Sequence, residues 1–418
     1  MWEGMPPEAR AVQRTYLLLT LLATLAASFI WGINTLFLLD AGLNNVEAFA
    51  ANAFFTAGEV LFEIPTGVVA DVWGRRTSYL LGAATLLLST LLYWAMWHEH
   101  APLWAFGIAS VLLGLGFTFF SGATEAWLVD VLAFTGHSGK LDDVLARGQV
   151  VTGSAMLSGT LAGAYLAQWT NLGVPYLVRS ALLILTLLAA WWWMRDLGFT
   201  PQRRSSIVGE VRGVLRASIG GGWRNPTVRW LMLSGLCSGG VGIYAFYALQ
   251  PYLLQLYGDR SAFGVSGLAA ALISGAQIAS GLLAPRLRRL FSRRSHVLLW
   301  SAAIVVVALW LLGSIASLPV ALGIMIVWSL AFWVAMPVRQ TLLNGLVPAA
   351  QRATVLSFDN MLTSAGGVIA QPALGRVADA SGYAAAYLVC GAVQLTALPF
   401  LALVRREKAH SDVIEQRG

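Results

Sequence analysis

The stretch GVVADVWGRR, residues 67–76, joins two apolar runs at 46–70 and 77–97. A bilayer core about 30 Å thick takes roughly 20 apolar residues of helix to cross, so each run is long enough to span it. Asp71, Arg75 and Arg76 crowd the turn between them. Two spans and a short charged turn make a helical hairpin, and the same alternation continues in both directions along the chain. Twelve runs can be marked: 15–39, 46–70, 77–97, 102–132, 146–170, 174–194, 228–256, 263–284, 296–315, 318–346, 353–378 and 383–404. The first is too long for a signal-peptide core, and no small-residue cleavage site follows it, so it reads as the first span.

Composition agrees with this reading. Of 418 residues, 57% are apolar and only 11% charged, and the mean hydropathy is +0.69. A soluble chain carries about 25% charged residues, so this one lacks the charge to cover a water-facing surface. A soluble enzyme, a secreted disulfide scaffold and a disordered chain are excluded. The fold class expected is an all-α polytopic membrane protein of twelve transmembrane helices.

The net charge of +7 does not indicate nucleic-acid binding. Of the 27 basic residues, 25 are arginines, and 23 fall on one side of the alternating spans. They comprise Arg10, Arg14, Arg75, Arg76, Lys140, Arg147, the 195–229 segment, the 286–294 cluster, Arg352 and the tail. The opposite loops hold only Arg260. Basic residues in short loops mark the cytoplasmic side, which places both termini in the cytoplasm and the protein in the inner membrane. Cys237 and Cys390 lie inside apolar runs and read as small packing residues, with no disulfide framework or metal site.

The basic segment 195–227 divides the chain into residues 1–194 and 228–418, six spans each. Within it Val208, Val211, Leu215 and Ile219 recur at helical spacing beside Arg212 and Arg216. That pattern fits a short amphipathic helix on the anionic inner leaflet, or alternatively a disordered linker. The halves repeat one another. FEIPTGVVA (62–70) aligns with AQIASGLLA (276–284), and the same offset carries Glu125 onto Arg339 and Asp130 onto Asn344. PYLVRSA (175–181) matches AYLVCGA (386–392). Two pseudo-symmetric six-helix bundles of this kind are a transporter architecture, with substrate bound near the midplane between repeats.

The loop at Gly67, Asp71, Gly74, Arg75 and Arg76 resembles the signature of the major facilitator superfamily, G-x-x-x-D-x-x-G-R-R. The family's frequent Glu-x-Pro-x-Gly lead-in stands at Glu63, Pro65 and Gly67. SGATEAWLVD (121–130), the ARG of 146–148 and RATVLS (352–357) resemble bacterial drug-efflux members of the tetracycline and macrolide type. The resemblance implies that Asp71, Arg75, Arg76, Asp130, Arg147 and Arg352 form a charge network closing the cytoplasmic gate. It departs at three places. Antiporters of the family often carry an arginine in mid helix 4, where 112–120 reads LLGLGFTFF. Their helix 5 signature has a Gly-Pro pair, and here GTLAG (159–163) keeps only the glycines. The second copy of the loop has Pro285 where Asp71 would stand.

Ionisable residues at membrane depth are costly and face a cavity or a partner. Glu59 and Glu63, four apart, share one face of their helix. With Glu125 and Asp359 they are the candidates to carry a proton; the other reading of Glu63 is helix packing beside Pro65. Glu125 and Arg339 occupy equivalent places in the repeat and are candidates to pair across a cavity in one state. Candidate cavity residues are Trp31, Asn34, Tyr244, Tyr247, Gln250 and Arg339, although any one aromatic can instead pack or face lipid.

No histidine or cysteine cluster has metal-ligand spacing, and Gly139-Lys140 is followed by Leu141, which breaks the phosphate-loop pattern. No cofactor, metal or nucleic acid is expected, and an ATP-driven pump on this chain alone is excluded. The function expected is secondary active transport by a monomer that moves a small amphipathic or drug-like molecule by alternating access, as multidrug efflux by proton antiport. The alternative is uptake or facilitated movement of a metabolite or lipid-like solute. An intramembrane enzyme is the non-transport alternative.

Overall fold

The computed structural model describes residues 7–120, 123–135, 141–199, 209, 223–288, 290–348 and 352–414. Apart from one isolated bridge, the regular elements among them are helical. The first eight helices are α1 (Pro7–Trp31), α2 (Asn34–Asp40), α3 (Asn45–Trp73), α4 (Arg75–His98), α5 (Leu103–Phe120), α6 (Ala123–Phe134), α7 (Leu141–Trp169) and α8 (Val174–Trp193). After them come α9 (Pro226–Tyr257), α10 (Phe263–Arg288), α11 (Arg294–Ser314), α12 (Leu318–Leu346), α13 (Arg352–Leu395) and α14 (Ala397–Arg406). Among the described residues, eleven helical segments are long and apolar enough to cross a membrane. The last, Val355–Arg406, runs 52 residues, well over twice what one crossing needs. Gly382 breaks it at φ +84, a backbone state in which glycine carries no side-chain clash. The sequence runs 353–378 and 383–404 are therefore two spans, giving the twelve.

One expected run is divided. The run 15–39 is α1 followed by α2, with Gly32 and Ile33 outside the helices; glycine is a poor helix former. Asn34 then begins α2 and accepts a hydrogen bond from the Tyr176 hydroxyl at 2.9 Å. The run 102–132 carries α5 and α6, and residues 121–122 between them lie outside the described residues. The amphipathic helix expected over 208–219 lies outside the described residues apart from Gly209.

The chain forms two compact units, one of residues 1–42 with 54–207 and one of 43–53 with 208–418. In the first, α1 packs on α7 and α8, and α4 on α5 and α8. Tyr16, Leu19, Tyr79, Trp127 and Leu128 form part of its core. α3 and α5 cross so closely at Gly114 that a Cβ there would sit 2.5 Å from the Phe55 carbonyl oxygen and 2.7 Å from the Glu59 nitrogen.

In the second unit α9 packs along α13, and α11 is wedged between α12 and α13. Asn225 caps α9 by accepting from Thr227 N at 3.0 Å, and Pro226 supplies a first residue with φ already set. The start of α3 belongs to this unit. Asn44 and Glu47 close a reciprocal capping box there, each accepting the other's backbone N–H at 2.9 Å. Asp379 adds a cap from far along the chain, accepting from the Asn45 and Val46 nitrogens at 3.1 and 2.9 Å. Buried Asp412 does the same for α11 through Ser295 N at 2.7 Å and Ser295 Oγ at 2.8 Å.

Candidate functional site

Within the first unit, α1, α4, α5, α6, α7 and α8 enclose a cavity of about 360 Å³. Phe117, Phe120, Leu86 and Leu183 give it an apolar wall, and Thr20, Thr24, Gln149 and Thr152 supply polar handles. Two charged residues line it. Glu125, near the start of α6, is exposed. Arg179, from α8, is only 1% exposed. Its Nε donates to Thr90 Oγ1 at 3.0 Å and its Nη1 to the Ala26 carbonyl oxygen at 3.1 Å. The guanidinium lies 5.9 Å from the Phe117 ring, within reach of a cation–π attraction. Helix 4 of the sequence reading has no arginine of its own, and here one reaches it from α8. No carboxylate among the described residues lies within ion-pair distance of Arg179.

The second unit holds a different charge arrangement. Arg339 on α12 donates to both oxygens of Asp359 on α13, from Nη1 to Oδ2 and from Nη2 to Oδ1 at 2.6 Å. Nη2 also reaches the Leu231 carbonyl oxygen at 3.2 Å. Asp359 is 2% exposed. Arg339 thus takes an ionic partner from within its own unit. It borders a smaller cavity of about 80 Å³ together with Ser234, Ser238, Ser301 and Gln394.

The remaining candidates fall in several places. Glu59 is half-buried and Glu63 exposed, one turn apart on α3 and near enough for their charges to interact. Tyr244 is wholly buried in the second unit's apolar core, its ring 4.5 Å from that of Phe49. Gln250 is buried on the same helix, while Tyr247 packs half-buried against that core. Trp31 is half-buried. Asn34 is held by Tyr176, so its polar end is already satisfied on one side.

The loop between α3 and α4 is built as an ion and cap cluster. Arg75 pairs with Asp71 at 2.7 Å. Gly74, at φ +99, precedes α4 and offers its helix no side-chain cap. Asp196 provides one from 120 positions away, accepting from Arg76 N at 2.9 Å. The Arg76 guanidinium donates to the Trp191 carbonyl oxygen at 2.7 Å and lies 5.2 Å from the Trp191 ring. Burial pushes the Asp196 carboxyl above its ordinary range and the nearby charge of Asp130 adds to that, while the Arg76 N–H, Arg76 and Arg75 pull it back. Arg147 is half-buried and Arg352 exposed. Sequence reading missed Asp196 altogether. Its only signal was an acid just past the end of an apolar run.

The family model for the major facilitator superfamily matches residues 16–291 and again 261–418. The chain belongs to the major facilitator superfamily. Its fold is that of solved superfamily transporters. The nucleoside transporter NupG is similar over 95% of this chain and 99% of its own, with a TM-score of 0.74 and 14% identity. A bacterial homolog of the human lysosomal transporter Spinster is similar over 99% and 100%, at a TM-score of 0.73 and 15% identity. A D-xylose-proton symporter is similar over 94% and 96%, at a TM-score of 0.67 and 17% identity. No curated protein matches the chain. The protein is therefore an integral membrane transporter with the all-α superfamily fold, and the named neighbours, which differ in what they carry, show that fold alone.

Proposed function

We propose that this superfamily member is a proton-coupled secondary transporter that expels a small amphipathic molecule, with protons moving the opposite way. The observation that carries the reading is the Arg339–Asp359 pair. A carboxylate 2% exposed that accepts two bonds from one guanidinium is charged at a cost, and the pair offsets that cost only while both partners remain ionised. Protonating Asp359 strands the Arg339 charge, so the packing of α12 on α13 differs in energy between the two protonation states. Such a difference between states is what lets a proton shift a conformational equilibrium. Glu59, Glu63 and Glu125 are further sites where a proton can load. The cavity of about 360 Å³, with an apolar wall and a few polar handles, suits an amphipathic organic solute. The network of Asp71, Arg75, Arg76 and Asp196 serves as the inner gate, with Asp130 and Arg147 in the same unit.

The test is reconstitution into proteoliposomes and a panel of amphipathic solutes, assayed with and without an imposed pH gradient. The reading expects at least one solute to accumulate against its concentration when the gradient is imposed, and to exchange without accumulating when it is collapsed. Accumulation that ignores the gradient would refute proton coupling.

A further inference from the structure

The first unit's cavity contains a charge that the proposed coupling does not use. Arg179 is almost fully buried, and its two hydrogen bonds go to neutral acceptors, Thr90 Oγ1 and the Ala26 carbonyl oxygen. A guanidinium has five N–H donors, so more than half remain after those two bonds. Arg179 borders the cavity, where Thr20, Thr24 and Thr152 are neutral and Glu125 stands exposed at the α6 side. A buried cation without an anion is expensive, and the remedy is a charged partner with hydrogen bonds. Among the described residues no carboxylate forms an ion pair with Arg179.

We infer that Arg179 is the recognition point for an anionic group, a carboxylate or its equivalent, on the transported molecule. The proposal rests on the transport reading above and narrows its substrate to amphipathic organic anions. The guanidinium offers a planar pair of donors that a carboxylate meets with two parallel bonds. Phe117, Phe120, Leu86 and Leu183 take the apolar body, and the threonines and Gln149 take further polar groups. A neutral ligand would leave the buried charge uncompensated, and a cation would be repelled. The cavity's volume, about 360 Å³, falls within the roughly 300–1,000 Å³ of small-molecule sites.

Two probes of the same shape separate charge recognition from apolar burial: radiolabelled 2-naphthoate and 2-naphthamide, measured by equilibrium binding to the purified full-length protein. Wild type should bind the naphthoate at least about tenfold more tightly than the amide, a difference of one charge-assisted contact. Arg179→Gln should erase the preference, and Arg179→Lys should restore part of it. The wild-type comparison needs no variant to fold. Equal affinities in wild type, no naphthoate binding, or a preference that survives in Arg179→Gln would overturn the assignment. Solute exchange in proteoliposomes that is unchanged by Arg179→Gln would remove the anion subsite while transport stands. Charge-selective binding that depends on Arg179 in a protein that moves no solute would uphold the subsite and refute transport.

Discussion

Replacing Asp359 by Asn tests whether the second unit's ion pair behaves as a switch. The amide keeps the shape and one acceptor oxygen but loses the charge that Arg339 faces. Removing one partner of a buried pair costs about 3–5 kcal/mol, because the other charge is left uncompensated. Arg339 retains its bond to the Leu231 carbonyl oxygen, and its side chain is 19% exposed, so the lower end, about 3 kcal/mol, applies. Arg339→Gln should cost a similar amount. The double variant leaves no stranded charge, so it should lose less than the sum of the singles, with a coupling of about 2 kcal/mol. Unfolding of the purified protein by SDS titration in mixed micelles measures all four corners of the cycle. Additivity within about 0.5 kcal/mol would show that the pair is not energetically coupled and would refute the argument.

Other perturbations follow from single contacts. Gly114→Val should destabilise the protein by about 2 kcal/mol in the same titration, since any Cβ meets the α3 backbone and the overpacked helices must shift. Asp196→Ala should cost about 1 kcal/mol through the lost cap on α4. Together with Asp71→Asn it should slow turnover more than it weakens solute affinity, as read from initial rates against solute concentration. Single cysteines at 98–101 and 171–174, placed in a variant lacking Cys237 and Cys390, should react with an impermeant thiol reagent in intact cells. Cysteines at 203–220 should react only after lysis, and the reverse pattern would invert the proposed topology.

The spans were legible because a membrane helix cannot hide its length: backbone groups in lipid must bond internally, which enforces long apolar runs. Even the fused stretch through Gly382 was divided correctly by residue pattern. The signature loop was legible for a similar reason, since its charges interrupt two such runs. Burial was not legible. A residue such as Tyr244 is equally apolar whether it faces lipid, a cavity or the core, and only packing put it against Phe49. Partnerships were not legible either. Arg339 and Asp359 are 20 positions apart on different helices, and Asp196, Asp379 and Asp412 cap helices 120, 334 and 117 positions away. That no carboxylate among the described residues pairs with Arg179 is likewise a fact of three dimensions.

The central claim is that solute and proton movements are linked in opposite directions. The direct measurement is lumenal pH in proteoliposomes, read from trapped pyranine, when a transported solute is added with no pH gradient imposed and the membrane potential clamped. Net solute movement should drive protons the opposite way at a rate proportional to solute flux, and Asp359→Asn should abolish the proton signal while leaving solute exchange intact. Solute movement with no change in lumenal pH, or with protons moving in the same direction, would contradict the account.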